Sequence, residues 1–393
     1  MKQSFSYHHP TEIIFGPGRL REVGQRAARY GRRALLVTAK AWPSVEPAYE
    51  AARQALRAAG VEVAHFDGVL PNPTTDLISK GAAMAKELHA EVIVGLGGGS
   101  SMDSAKAIAV EVSHPGTAWD YLYYKTEQPD PLAVLPVVAI TTTSGTGSQV
   151  TQVAVVTNTA QRDKSALYNP ALFPRVAIVD PELMMTAPPH LTAATGFDAL
   201  THAFESTLHP AASPYTDLLA IEAMRLVLHH LPMAVRGEGG LAARSALAWA
   251  DTLAGLCIAS AGVTLPHGIG MAIGGMYPHV MHGEALAVVY PAIARFTWRA
   301  APSKYAALAR MLDPSLAGMP DEGAAEQSAS ALERFLHDIG LEVTLAALRV
   351  PREELPLLAQ QSTVLPDYKS HPIVATQDQI ATILDQSYGA PVA

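Results

Sequence analysis

The first hundred residues alternate short β-branched runs with helical patterns, and that order constrains the fold more than any other feature of the chain. "ALLVT" (34–38) precedes a helical stretch in "EPAYEAARQALRAAG" (46–60); "VEVAHF" (61–66) precedes another around 75–89; "EVIVGLGGG" (91–99) follows. Strands separated by helices return in the same direction, so a parallel sheet with crossover helices is predicted. "AVLPVVAI" (133–140) and "RVAIVD" (175–180) extend it. After "MMTAPPH" (184–190) no comparable run appears. Ala/Leu-rich helical spacing dominates instead, around 191–208, 214–230, 240–261, 283–300 and 303–312. Pro188 and Pro189 should break any continuing helix. The reading is an α/β N-terminal domain with a parallel sheet over residues 1–187 and an all-α C-terminal domain over 188–393.

Composition excludes several function classes. The net charge is −8 and no Lys/Arg cluster stands out, so a nucleic-acid partner is not expected. Cys257 is the only cysteine, which excludes an intrachain disulfide and a Cys-rich metal site and fits a reducing compartment. The first residues carry no apolar core of signal-peptide length, so a cytoplasmic protein is expected. Leu253 to Tyr277 lacks Asp, Glu, Lys and Arg, yet its glycines, Pro266 and His267 suit helices buried in protein better than a membrane span.

Two loops invite a phosphate. "GLGGGSSMDSAKAIA" (95–109) runs from a predicted strand into a predicted helix, where glycines admit close backbone approach and N–H groups attract anions. Its order is not G-x-G-x-x-G, and a tight turn without ligand is the competing reading. "TTTSGTGSQVT" (141–151) also follows a strand and offers hydroxyls and glycines without charge. Two such loops fit a pyrophosphate-containing cofactor at the sheet's carboxyl edge, although the second alone reads equally well as a polar turn.

In "GFDALTHAFES" (196–206), Asp198 and His202 are one helical turn apart and share a face. They could share a metal ion or form a hydrogen-bonded core pair. His267 in "TLPHGIGMAIGG" and His282 in "HVMHGEALAVVYP" would complete one oxygen and three nitrogens, a set suited to a divalent transition metal such as iron or zinc. Alone, His267 reads as a core histidine bonded to backbone. The other histidines lack partners at useful spacing.

These segments together, with "KSALYNPALFPRVAIVDPEL" (164–183), resemble the iron-containing (group III) alcohol dehydrogenase family, whose fold is shared with glycerol dehydrogenase and dehydroquinate synthase. The resemblance implies a dinucleotide-binding first domain and a metal- and substrate-binding second domain. It places Asp198, His202, His267 and His282 at the metal-ligand positions, with iron first and zinc next. It lays NAD(P) along Gly97, Gly98, Gly99 and Ser100, with Asn72, Thr141, Thr142, Thr151 and Lys164 at other contact positions. A small alcohol or aldehyde substrate and a homodimer are implied as well.

The chain departs from the family pattern in places. Ala39 stands where many members carry an Asp against the adenosine ribose, which admits NADP beside NAD. Met271 stands where many carry a second His, so a proton relay would be lost or rerouted, with His279 the candidate beside His267 as catalytic residues. Three other readings stay open: a dehydroquinate-synthase-like lyase, a glycerol-type dehydrogenase with three ligands, and a metal- and nucleotide-binding protein without catalysis. The lyase should need a Lys/Arg-rich pocket, whereas residues 186–300 hold only Arg225, Arg236, Arg244, Arg295 and Arg299 and no lysine.

Overall fold

A computed structural model describes residues 4–122, 124 and 127–389. The chain forms two compact units. The α/β unit spans Tyr7–Ala187 and is built on eight strands: β1 (Glu12–Phe15), β2 (Arg33–Ala39), β3 (Glu62–Val69), β4 (Val92–Gly97), β5 (Val137–Thr141), β6 (Val153–Asn158), β7 (Asp163–Tyr168) and β8 (Val176–Val179). Helices α1 (Val23–Ala27), α2 (Glu46–Ala58), α3 (Thr75–Glu87) and α4 (Gly99–Ser113) lie between them. Six strands form one sheet in the order β1-β8-β5-β4-β2-β3, every neighbouring pair parallel. β4, "VIVGLG", is buried throughout because helices cover both faces of such a sheet.

This order matters for function. Thr141, Gly97 and Ala39 end the neighbouring strands β5, β4 and β2, so the loops that follow them emerge side by side at one carboxyl edge. β6 and β7 form a separate antiparallel hairpin that sequence reading did not separate from its loops. The hairpin is tied back by Thr157 N–H, which donates to the Pro73 carbonyl at 2.8 Å.

The second unit comprises Pro188–Gly239 and residues 256–389, with residues 4–6. Its helices are α5 (Pro189–Leu208), α6 (Pro214–Val235), the end of α7 (Gly240–Ser260), α8 (Leu265–Met276), α9 (His282–Thr297), α10 (Pro302–Leu312), α11 (Asp321–Glu326), α12 (Ser328–Asp338), α13 (Leu355–Gln361) and α14 (Gln377–Gln386). Pro188 and Pro189 begin a helix rather than end one. At its first turn the missing proline N–H costs nothing, since no intrahelical acceptor awaits it.

A single cut at residue 188 does not describe the molecule, because Gly240–Gly255 of α7 packs with the α/β unit. Asp251, fully buried, explains the attachment. Its carboxylate accepts the Gly147 N–H at 2.9 Å and the Gln149 amide at 2.8 Å. Gly147 (φ 61°) and Gly255 permit the contact: a Cβ on Gly255 would lie 2.6 Å from Val150 Cγ2 and 2.8 Å from Gly147 Cα.

The uncharged stretch 253–277 is likewise not one helix, since α7 ends at Ser260 and α8 starts at Leu265. Helices α6 and α7 are long and apolar enough to cross a membrane by length and composition alone. Both carry acids bonded to protein partners, Asp217 to Lys304 at 2.8 Å and Asp251 as described.

The Gly147–Gly255 contact yields an expected outcome. Gly255→Ala should destabilise the protein by roughly 1–3 kcal/mol through overpacking, read as a lowered thermal midpoint. An unchanged midpoint would show that the two backbones part without cost.

Candidate metal centre and nucleotide cradle

Helix α5 carries Asp198, His202 and Glu205 at i, i+4 and i+7, one face of a helix whose residues 196–207 are all buried. His282 is delivered by α9. A Cβ on Gly283 would sit 2.1 Å from the Ala194 carbonyl oxygen, so only glycine lets the first turn of α9 lie against α5. His267 stands on the first turn of α8, where a Cβ on its neighbour Gly268 would lie 3.4 Å from the Ser362 carbonyl.

The four side chains converge. Asp198 Oδ1 lies 3.5 Å from His267 Nε2, 3.6 Å from His202 Nε2 and 3.9 Å from His282 Nε2. Ligand atoms of Asp198, His267 and His282 all fall within 4.8 Å of one another, and the His202 and His267 rings stack at 4.5 Å. These separations are long for hydrogen bonds. They approach the edge of about 3.4 Å that a tetrahedron with ligand bonds of about 2.1 Å possesses. Asp198 Oδ1 and His267 Nε2 are buried and have no hydrogen-bond partner among the described residues, an arrangement that a shared cation satisfies.

Electrostatics favour the same occupant. Burial alone would raise the Asp198 carboxyl, but His202, His267 and His282 outweigh it and hold it at about 2. Burial would lower His267, yet Glu205 and Asp198 lift it to about 10. Two buried carboxylates thus create a demand for positive charge.

Glu205 escaped the sequence reading although it lies within "GFDALTHAFES". Its Oε1 accepts His267 Nδ1–H at 2.7 Å, and its Oε2 accepts the Thr264 N–H at 2.7 Å and hydroxyl at 3.1 Å. In the neutral imidazole, Nδ1 donating to a carboxylate leaves the lone pair at Nε2, on the side of the cluster. The signal was present as the seventh residue after Asp198, two turns along the same face.

His279 does not join this arrangement. It is exposed, and its Nε2 meets the Leu348 carbonyl at 2.9 Å, because α8 has already ended at Met276 and the turn carries it outward. The relay expected of it is corrected on that ground. Met271 is buried in α8 and supplies no imidazole. Asp367 was also missed: burial pushes its carboxyl up to about 6, while the charge of His267 opposes the rise.

In the α/β unit the glycine turn opens α4. Gly97 has φ 152°, and a Cβ on Gly99 would lie 2.6 Å from Thr146 Cγ2, so the turn and the 141–151 loop are in contact. Thr142 N–H donates to the Gly97 carbonyl at 3.0 Å. Lys106, inside α4, locks the second loop: its buried ammonium donates to the carbonyls of Ser148 (2.7 Å), Thr151 (2.9 Å) and Val153 (2.7 Å). Burial lowers Lys106 to about 8, with Asp103 opposing. Asp103 in turn accepts the Ser148 hydroxyl at 2.6 Å and the Val155 N–H at 3.0 Å. Thr141 spends its hydroxyl on the Thr143 carbonyl at 2.7 Å, and Thr151 is buried within the loop. Asn72, in the left-handed region at φ 55°, accepts Lys164 Nζ at 2.8 Å, so those two expected contact residues meet. Ser100 lies on the first turn of α4, where helix N–H groups and small residues suit a pyrophosphate.

Known proteins share both halves. Residues 10–181 match the family described as iron-containing alcohol dehydrogenase, and residues 192–388 match the C-terminal domain of the Fe-containing alcohol dehydrogenase family. The NAD-dependent methanol dehydrogenase of Bacillus methanolicus is 37% identical over 377 residues, covering 95% of this chain and 97% of its own. The 1,3-propanediol dehydrogenase of Klebsiella pneumoniae is 36% identical over 386 residues, covering 98% and 99%. An archaeal halo-thermophilic alcohol dehydrogenase from a Red Sea brine pool superposes with a TM-score of 0.92 at 33% identity, covering 98% of this chain and all of that one. A parallel sheet with a glycine turn, a helical unit with a four-residue convergence, and matches along nearly the whole length agree: the chain belongs to the iron-containing alcohol dehydrogenase family.

Proposed function

We propose that the protein oxidises a small, weakly charged primary alcohol, or reduces the corresponding aldehyde, using NAD(P) and a divalent metal held by Asp198, His202, His267 and His282, iron first and zinc next. The observation that carries this reading is the approach of three imidazole nitrogens to one partnerless carboxylate oxygen. When bound, the metal supplies Lewis-acid polarisation of the alcohol oxygen and the nicotinamide supplies the hydride acceptor. The chain's own residues do the rest. Glu205 holds the His267 tautomer and orientation. Gly97, Gly98, Gly99 and Ser100 offer backbone to the pyrophosphate, with Asn72, Thr141, Thr142, Thr151 and Lys164 shaping the surrounding cradle.

The surroundings of the basic residues support an uncharged substrate. Arg225 pairs with Glu222, Arg236 with Glu238 and Arg295 with Glu333, while Arg299 stacks over Trp298. Arg244 donates to the Ala187 carbonyl, and Lys369 lies over the Tyr368 ring. None is committed to the convergence point, which disfavours a lyase acting on a phosphorylated substrate. Four converging side chains also exceed the three of a glycerol-type site. Ala39, at the end of β2, leaves no carboxylate to repel a 2′-phosphate, which supports NADP use beside NAD. The family resemblance supports a homodimer, and a single buried cysteine suits a reducing cytoplasm; light scattering and fractionation test these two points.

The decisive experiment couples metal analysis to NADH and NADPH oxidation over a panel of short aldehydes. Turnover that depends on added metal is expected; no turnover with any metal loaded would leave only a binding protein. His267→Ala and His282→Ala should each lose metal and at least about 100-fold in kcat/KM with circular dichroism unchanged. Unaltered metal content in both would refute the ligand assignment. Ala39→Asp should move the NAD/NADP ratio of kcat/KM towards NAD, and an unmoved ratio would displace Ala39 from the ribose.

A further inference from the structure

The polar chain behind His267 continues past Glu205. Thr264, the residue capping α8, turns its hydroxyl away from its own helix and onto Glu205. Its oxygen also lies 3.1 Å from His371 Nδ1, and His371 Nε2 lies 2.8 Å from the hydroxyl of Thr297, the last residue of α9. Thr297, His371, Thr264, Glu205 and His267 are all buried.

The proton positions in this chain follow from donor counting. A carboxylate can only accept, so the Thr264 hydroxyl, 3.1 Å from Glu205 Oε2, must place its single proton there. Towards His371 it can then only accept, so His371 Nδ1 carries a proton. Burial lowers the His371 pKa to about 4, so the ring is neutral and Nε2 is an acceptor. The Thr297 hydroxyl therefore donates to Nε2. Every donor has one acceptor, and the order ends with His267 donating Nδ1–H to Glu205.

We propose that His371 is a positioning residue for the metal centre. Through the Thr264 hydroxyl it fixes the orientation of Glu205 and hence the tautomer and direction of His267. The inference rests on His267 being a metal ligand, as proposed above. His371 reaches the ligand only through two intermediaries, so its loss changes how tightly metal is held without removing a donor atom.

The test uses full-length protein loaded with Co(II) or Zn(II), metal loss to a competing chelator, and the cobalt d–d spectrum. His371→Leu and Thr264→Val are expected to weaken metal retention by about 10–100-fold and to shift the cobalt spectrum, with Thr264→Ser restoring both. His371→Asn, which can place an N–H where Nδ1 stands, should hold metal better than His371→Gln, which reaches towards the Nε2 side. This polar pair carries the test if the leucine variant does not fold. Wild-type retention and spectrum in folded His371→Leu and Thr264→Val, or equal retention in the Asn and Gln variants, would overturn the proposal. Wild-type protein that binds no metal, or His267→Ala that binds it fully, would overturn the ligand assignment instead.

Discussion

A carboxylate fully buried at the middle of a helix is the constraint on which the helical unit depends. Asp198 sits on α5 among residues that exclude water, and leaving an acid there uncompensated costs several kcal/mol. Three imidazoles from three helices surround it, and a second acid, Glu205, stands behind one of them. The packing of α5, α8 and α9 is arranged to meet that charge. Gly283 is required because α9 must approach α5 closely enough to deliver His282, and Glu205 is tolerated because α8 presents its capping N–H and His267 to it. A carboxylate at a helix N-terminus also gains from the helix dipole.

The α/β unit brings backbone free of side chains to the carboxyl edge of its sheet, an arrangement suited to an anion. Glycines at 97, 98 and 99 leave the start of α4 without side chains, and Gly99 packs against Thr146. Lys106 fixes the neighbouring segment, drawing onto α4 the carbonyls of Ser148 and Thr151 and that of Val153 at the start of β6. Its charge is hidden from any ligand and acts on the loop, while Asp103 secures the same loop through Ser148 and Val155. Both residues lie in "GGGSSMDSAK", a segment whose phosphate-binding signature is therefore partly a signature of loop fixation.

Five of the six parallel strands, the change to helices after residue 188 and the four converging side chains could be read from residue order, because each rests on local periodicity or on rare residue types in apolar surroundings; the edge strand β1, four residues long, was not. Glu205 is as buried as Asp198 but looks like an ordinary helix acid in one dimension; only the arrival of His267 and Thr264 gives it a role. His279 was the reverse case, a histidine near the right segment that the end of α8 turns outward. The β6–β7 hairpin hid among hydroxyl-rich loops, and Gly240–Gly255 joined the α/β unit through Asp251, a residue no helical pattern singles out.

The amino-acid order by itself determined the class of fold, the chemistry of the donor set and the place of the glycine turn, since these follow from hydrophobic period and from which side chains bind cations or admit anions. Tertiary structure alone decided which residues stand behind the converging side chains, which loop Lys106 fixes and which unit holds Gly240–Gly255 of α7. Those outcomes depend on contacts between segments tens of residues apart, where a glycine or a buried acid acquires its meaning only from the neighbour that folding brings to it.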